Sequence, residues 1–168
     1  MKRILAAALV AVSLSGCAGY RIGDVKPAFL KGVKTIAVLN FKNTTFMPRA
    51  ETLVVNSVIK QFQQDGTFQI TTPDKADAIL DGVVSGVGRA AARSVRGNVL
   101  ATREFNLTLN VGYTLRARDG SALVGPATIQ GHTSFFVGTD VTTDERQALP
   151  IAAEDLATHL VSQISEGW

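Results

Sequence analysis

Few side chains in this 168-residue chain could do chemistry, and their spacing assembles no reaction centre. His132 and His159 are its only histidines. His132 falls on an expected strand with no adjacent cysteine or acidic ligand, and His159 on the polar side of an expected helix, so both read as structural or solvated. Asp74, Asp77 and Asp81 resemble a carboxylate group, but a turn or cap leading into a strand accounts for them, and no metal is expected. Gly86-Val87-Gly88-Arg89-Ala90-Ala91 follows a strand and mimics the G-x-G-x-x-A dinucleotide fingerprint. That fingerprint needs a full helix whose N-terminus holds the pyrophosphate. Here Gly97 ends the stretch too soon, and the next strand reads as antiparallel. These residues imply neither enzyme nor cofactor.

What remains is arginine. Residues 89–118 hold Arg89, Arg93, Arg96, Arg103, Arg116 and Arg118 against Glu104 alone, a local charge of +5. The guanidinium is a planar fork that grips phosphate through two bonds. One end of the domain is therefore expected to be strongly positive, with Arg89, Arg93 and Arg96 the first candidates for a phosphate-bearing ligand and Arg116 and Arg118 the next. Nucleic acid is a poor match, because no aromatic residues interleave to stack on bases.

The single cysteine has a different role. Lys2 and Arg3 precede an uncharged, largely apolar run from Ile4 to Leu14, then Leu14-Ser15-Gly16-Cys17. This is the layout of a signal peptide, and the run is shorter than the roughly 20 residues that span a bilayer as a helix. Its ending resembles the bacterial lipobox, in which the cysteine is lipidated and becomes the first mature residue. Residues 1–16 are thus expected to be removed and the chain exported, held to a membrane by a covalent lipid on Cys17. Ala18, rather than aspartate, after the cysteine is consistent with the outer membrane. The mature chain carries 15 basic and 14 acidic residues, so the overall pI says little about partners.

Residues 17–32 read as a tether, and 33–168 as one domain large enough to bury a core without disulfide or metal. Val33–Phe41 is a β-branched apolar run that reads as a strand. Pro48 suits the first turn of a helix, Val55, Val58, Ile59 and Phe62 follow at helical spacing, and Asp65-Gly66 closes it. Phe68–Thr71 is at best a short strand. Ala78–Val87 reads as a second main strand, and 88–102 as a loop rich in Arg, Ala and Gly. Phe105, Leu107, Leu109, Val111, Tyr113 and Leu115 then alternate with polar or small residues, giving a strand with one buried and one wet face. Asp119-Gly120 turns the chain into Ala122–Val137, where Gly125-Pro126 implies a bulge or an edge. Thr142-Thr143-Asp144-Glu145 matches a capping box, and Ala153, Leu156, Ala157, Leu160, Val161 and Ile164 form the stripe of a last helix. Pro150 either kinks that helix or marks its first turn. The expected architecture is α+β: two helices packed on one mostly antiparallel or mixed four-stranded sheet.

Taken together, several stretches resemble the lipopolysaccharide-assembly lipoprotein family, LptE. They are Cys17-Ala18-Gly19-Tyr20, Thr35-Ile36-Ala37-Val38 with Phe41-Lys42-Asn43-Thr44-Thr45, Phe62-x-x-Asp65-Gly66, and Ala76-Asp77-Ala78-Ile79-Leu80-Asp81-Gly82. The resemblance covers nearly all of the mature chain. It implies a non-enzymatic outer-membrane lipoprotein on the periplasmic side, lodged in the lumen of a large β-barrel partner, LptD. Such a protein plugs the barrel, helps it assemble, and binds lipopolysaccharide through basic residues at one end. The same strand motifs occur in lipoprotein activators of peptidoglycan synthases and in secretion-pore components, which form the alternative reading.

Overall fold

The computed structural model describes residues 26–93, 103–138 and 140–167. A 3-10 turn at Ala28–Leu30 places Leu30 in the core ahead of the first strand. The elements then follow as β1 (Thr35–Val38), β2 (Lys42–Asn43), α1 (Ala50–Asp65), β3 (Gln69–Ile70), β4 (Ala78–Arg93), β5 (Arg103–Ala117), β6 (Ala122–Val137) and α2 (Val141–Glu166). They form one mixed sheet in the order β3-β1-β4-β5-β6, with β2 also paired to β4. The two helices pack on one face of it, so the α+β sandwich is as expected. The sheet has six strands rather than four, because β2 and β3 are two-residue segments that carry almost no pattern of their own.

The apolar run at 33–41 is not one strand. Leu39 still donates its N–H to the Leu80 carbonyl, then the chain leaves the ladder and drops Phe41 into the core. Phe41 fits because Gly82 lies beneath it: a Cβ there would come within 2.8 Å of its ring. Pairing resumes at β2, opposite Val83 and Val84. Helix α1 begins at Ala50 rather than at Pro48, since Arg49 takes a left-handed φ of 64° that no helix accommodates. Its buried stripe is Ala50, Val54, Val55, Val58 and Phe62. Gly66 ends it at φ 74°, donating its N–H to the Phe62 carbonyl.

Strand β4 runs well past Val87. Residues 88–93, expected as loop, stay in antiparallel register with β5, from Gly88 opposite Thr108 to Arg93 opposite Glu104. Gly, Ala and Arg have poor strand propensity, and cross-strand pairing overrides it. On β5 the alternation holds as written: Leu107, Leu109, Val111 and Leu115 are fully buried under the helices. The opposite face is wet and largely neutral, with Gln130 Nε2 donating to Asn110 Oδ1 at 2.7 Å and Thr108 meeting His132 at 3.3 Å. Register shifts near Gly125-Pro126 confirm the bulge, and β6 is an edge.

Helix α2 spans 26 residues with Pro150 in its interior, not in its first turn. Its N-cap is Asp140 instead of Thr142: the Asp140 carboxylate accepts from the Thr142 N–H at 3.0 Å and the Thr143 hydroxyl at 2.5 Å. Its stripe, Ala153, Leu156, Ala157, Leu160, Val161 and Ile164, is buried as the spacing requires.

Candidate functional site

The antiparallel β4–β5 pair decides where the arginines go. Arg89 lies opposite Leu107, nine residues before Arg116 on the same strand. At about 3.3 Å per residue, Arg89 and Arg116 are roughly 30 Å apart. One stretch of sequence is thus divided between two ends of the molecule. Arg93 pairs through its backbone with Glu104 at the Arg89 end, and Arg103 pairs with Val137 there. Arg96, like Cys17, lies outside the described residues.

Arg89 shares the helix-side face with its cross-strand partner Leu107. Its Nη1 contacts Glu145 Oε2 at 2.6 Å, and its guanidinium lies 5.5 Å from the centre of the Phe105 ring. Phe105 in turn stacks on Phe135. Arg89 therefore ties the distal hairpin to the first turns of α2 while staying partly exposed. At the other end Arg116 Nε stands 3.5 Å from Asp81, and Arg118 Nη2 donates to the Asp74 carbonyl at 2.9 Å. Both are engaged with the entry to β4.

Of the three aspartates, Asp77 joins the strands. Asp77 Oδ2 accepts from the Lys34 N–H, the Thr35 N–H and the Thr35 hydroxyl at 3.0, 3.0 and 2.9 Å. The Asp77 N–H donates back to Thr35 Oγ1 at 2.9 Å. The Lys34 N–H first, then the Thr35 hydroxyl and N–H, hold the Asp77 carboxyl below the usual carboxylate range, with a smaller pull from Arg118. The Thr35-Ile36-Ala37-Val38 and Ala76-Asp77-Ala78 motifs are thus two halves of one clamp joining β1 to β4. Asn43 does similar work in the next loop: its Oδ1 accepts from the Thr45 N–H, while its Nδ2 reaches the Met47 carbonyl and Glu51.

One grouping was not legible in the sequence. Asp155 of α2 accepts the outward N–H of His132 at 2.8 Å and stands 3.8 Å from His159, one turn further on. His159 approaches the Gln130 carbonyl at 3.5 Å. Helix side chains thereby occupy backbone groups along the outer edge of β6. Only a chain fold that lays α2 on β6 brings residues 130–132 to 155–159, so no local pattern could have marked it. Among the described residues no group of three or more His, Cys, Asp or Glu is placed to hold a metal ion. No helix there is long and apolar enough to cross a membrane. An open hollow of about 310 Å³ lies on the helix-free face, bounded by Asp81, Val83, Gly112, Thr114 and Thr128. It contains no nucleophile paired with a base.

A family model described as LptE, lipopolysaccharide-assembly, matches residues 33–164. No curated protein matches the chain. Among solved structures, a minor lipoprotein from Acinetobacter baumannii superposes with a TM-score of 0.54 at 17% identity, covering 81% of this chain and 95% of that one. A putative neuraminyllactose-binding hemagglutinin homologue from Helicobacter pylori gives 0.53 at 12%, covering 88% and 90%. An uncharacterized lipoprotein B from Nitrosomonas europaea gives 0.52 at 13%, covering 88% and 86%. At these identities the likeness carries the fold alone.

Proposed function

Because the chain belongs to the lipopolysaccharide-assembly family LptE, we propose that it is a non-enzymatic lipoprotein of the outer membrane that plugs and helps assemble an LptD-type β-barrel. It is anchored on the periplasmic side through lipid on Cys17 and handles lipopolysaccharide on its way to the surface. The observation that carries this reading is the match over residues 33–164, which takes in both helices almost entirely and every strand. The geometry supports it in two ways. The helix-free face of the sheet is polar, and its charges include the opposed pair Asp81 and Arg116, as suits a surface lying against the wet wall of a barrel lumen. The described chain also begins away from the distal hairpin, where Pro27 lies beside Gly167 at the C-terminal end of α2.

Within this reading the phosphates of lipid A are held by the distal group, Arg89, Arg93 and Arg96. Arg116 and Arg118 sit at the β4 entry, roughly 30 Å along the strand from Arg89, and do not join that group. The test is lipopolysaccharide binding at low salt, where phosphate contacts are least screened. Arg93→Glu with Arg96→Glu is expected to weaken binding while the thermal melt stays in place. Arg116→Glu with Arg118→Glu is expected to leave binding unchanged. The opposite pattern overturns the assignment. Affinity purification from solubilised membranes checks the rest: a barrel of several hundred residues should accompany the protein, and recovery of a peptidoglycan synthase alone refutes the reading.

A further inference from the structure

The sheet has two long edges, and they are treated differently. An exposed row of unpaired N–H and C=O groups is a template for another strand, so edges are usually covered, shortened or charged. The β6 edge is guarded: Asp155 takes the His132 N–H, His159 approaches the Gln130 carbonyl, and Pro126 interrupts it. On the other side, β1 and β2 cover β4 only as far as Val84, where Thr44 makes the last link through its N–H and hydroxyl. Beyond that point no strand among the described residues pairs with β4 except β5. Gly86 to Ala91 keep continuous register with β5 between two irregularities, one at 84/86 and one at 91/93. The stretch has no proline, and positions 88–92 are exposed. Its open ladder is about 20 Å long.

A second feature stands where the ladder opens. The loop after β2 is pinned by Asn43 and by Thr44 on the Val84 carbonyl, and the Thr45 hydroxyl accepts from the Met47 N–H. That pinned loop holds Phe46 wholly in solvent, at 106% of the reference exposure. A rigid loop displaying an uncovered ring, in line with an unfilled strand position, has the form of an anchor for an incoming chain.

We propose that the 86–91 edge of β4 binds an extended acidic segment of another protein by strand addition, with one end of that segment packed against Phe46. Main-chain hydrogen bonds would supply the affinity and alternate side chains the specificity. Charge selects the occupant. Residues 86–103 contain four arginines and no acidic residue, and with Glu145 on Arg89 and Glu104 opposite Arg93 counted against them the strip keeps a net +2. A second copy of this chain pairing antiparallel would bring two such positive strips together, where like charges oppose association. A glutamate- or aspartate-bearing strand meets no such opposition. This inference needs neither lipopolysaccharide nor the barrel and can fail independently of them.

The test uses the mature full chain carrying Cys17→Ser and three eight-residue peptides: one alternating valine and glutamate, its lysine counterpart, and the acidic sequence with two prolines. Amide hydrogen exchange is followed by NMR. The acidic peptide is expected to slow exchange within 86–91 by up to about a hundredfold at roughly one hundred times its Kd. The lysine and proline peptides are expected to have no effect there. Phe46→Ser, at a fully exposed position, should leave the melt unchanged and weaken the acidic peptide about two- to tenfold. Absence of protection at 86–91, equal protection by the lysine peptide, or protection that grows with protein concentration without peptide overturns the proposal, the last by making a second copy the occupant.

Discussion

Replacing Gly131 with alanine should destabilise the domain far more than the same change at Gly112, although both glycines lie inside neighbouring strands. Gly131 faces the helices from β6, opposite buried Leu109. A Cβ there would stand 2.6 Å from Leu156 Cβ and 2.7 Å from Leu156 N, and closer still to the Ala152 carbonyl oxygen. Carbon atoms pack at about 3.5–4.0 Å, so α2 would have to retreat by about 1 Å. The obstacle is helix backbone rather than a movable side-chain tip. Ala152 and Leu156 are both fully buried, so retreat loosens the layer over β5. Overpacking costs about 1–3 kcal/mol, and a backbone obstacle places this case near about 3. For a domain of this size each kcal/mol lowers Tm by about 2–4 °C, giving a loss of about 6–12 °C. At Gly112 the nearest atom to an added Cβ is the Ala127 carbonyl oxygen, 4.0 Å away. That substitution should be neutral, or stabilising by up to about 1 kcal/mol through lost unfolded-state entropy. Thermal unfolding followed by circular dichroism decides the matter. A Gly131→Ala variant melting within about 2 °C of wild type, or an equal loss at both positions, would refute the claim that α2 sits directly on the β6 backbone.

Two further expectations follow from other contacts. Asp77→Asn weakens the clamp between β1 and β4 and should cost about 1–2 kcal/mol at neutral pH, the lower part of the range for charged hydrogen bonds because the site is partly exposed. Since the Asp77 pKa is depressed in the folded state, its contribution is complete above the unfolded value of about 4 and is lost as pH falls through the folded value. Urea melts across pH 2 to 7 should show the gap between wild type and variant narrowing below about pH 4; a constant gap refutes it. Tyr113→Phe removes the 2.9 Å hydrogen bond donated to Gln163 and should cost about 1 kcal/mol, read from the same melts. Burial raises the pKa of this phenol, so at pH 10 Tyr113 should be less ionised in the folded protein than in the unfolded chain. Equal ionisation in the folded and unfolded states would show that the ring is accessible.

The family motifs turn out to be mechanical joints. Thr35 and Asp77, about 40 residues apart in sequence, hold two parallel strands together. Asn43 and Thr45 shape a loop. Such parts hold the sandwich together, so they mark the fold more sharply than they mark a ligand. The end proposed for the ligand is the hairpin of β4 and β5, whose glycine, alanine and arginine residues have no strand signature. There the reading of 88–102 as loop gave way at 88–93, because pairing to Asn106 and Thr108 stabilises an extended chain that local preference does not.

By itself the sequence determined whatever a single element decides alone. The alternation from Phe105 to Leu115 chose a face, the stripe from Ala153 to Ile164 chose a helix, and Asp65-Gly66 chose an ending. These patterns are short-range, because an element's period depends only on its own side chains. Tertiary structure alone decided that Arg89 and Arg116 part company, that Gly131 meets a helix while Gly112 meets solvent, and that, among the described residues, one sheet edge is guarded and the other left open. Each of those outcomes depends on register between strands, and register is set by the packing of distant segments rather than by any one of them.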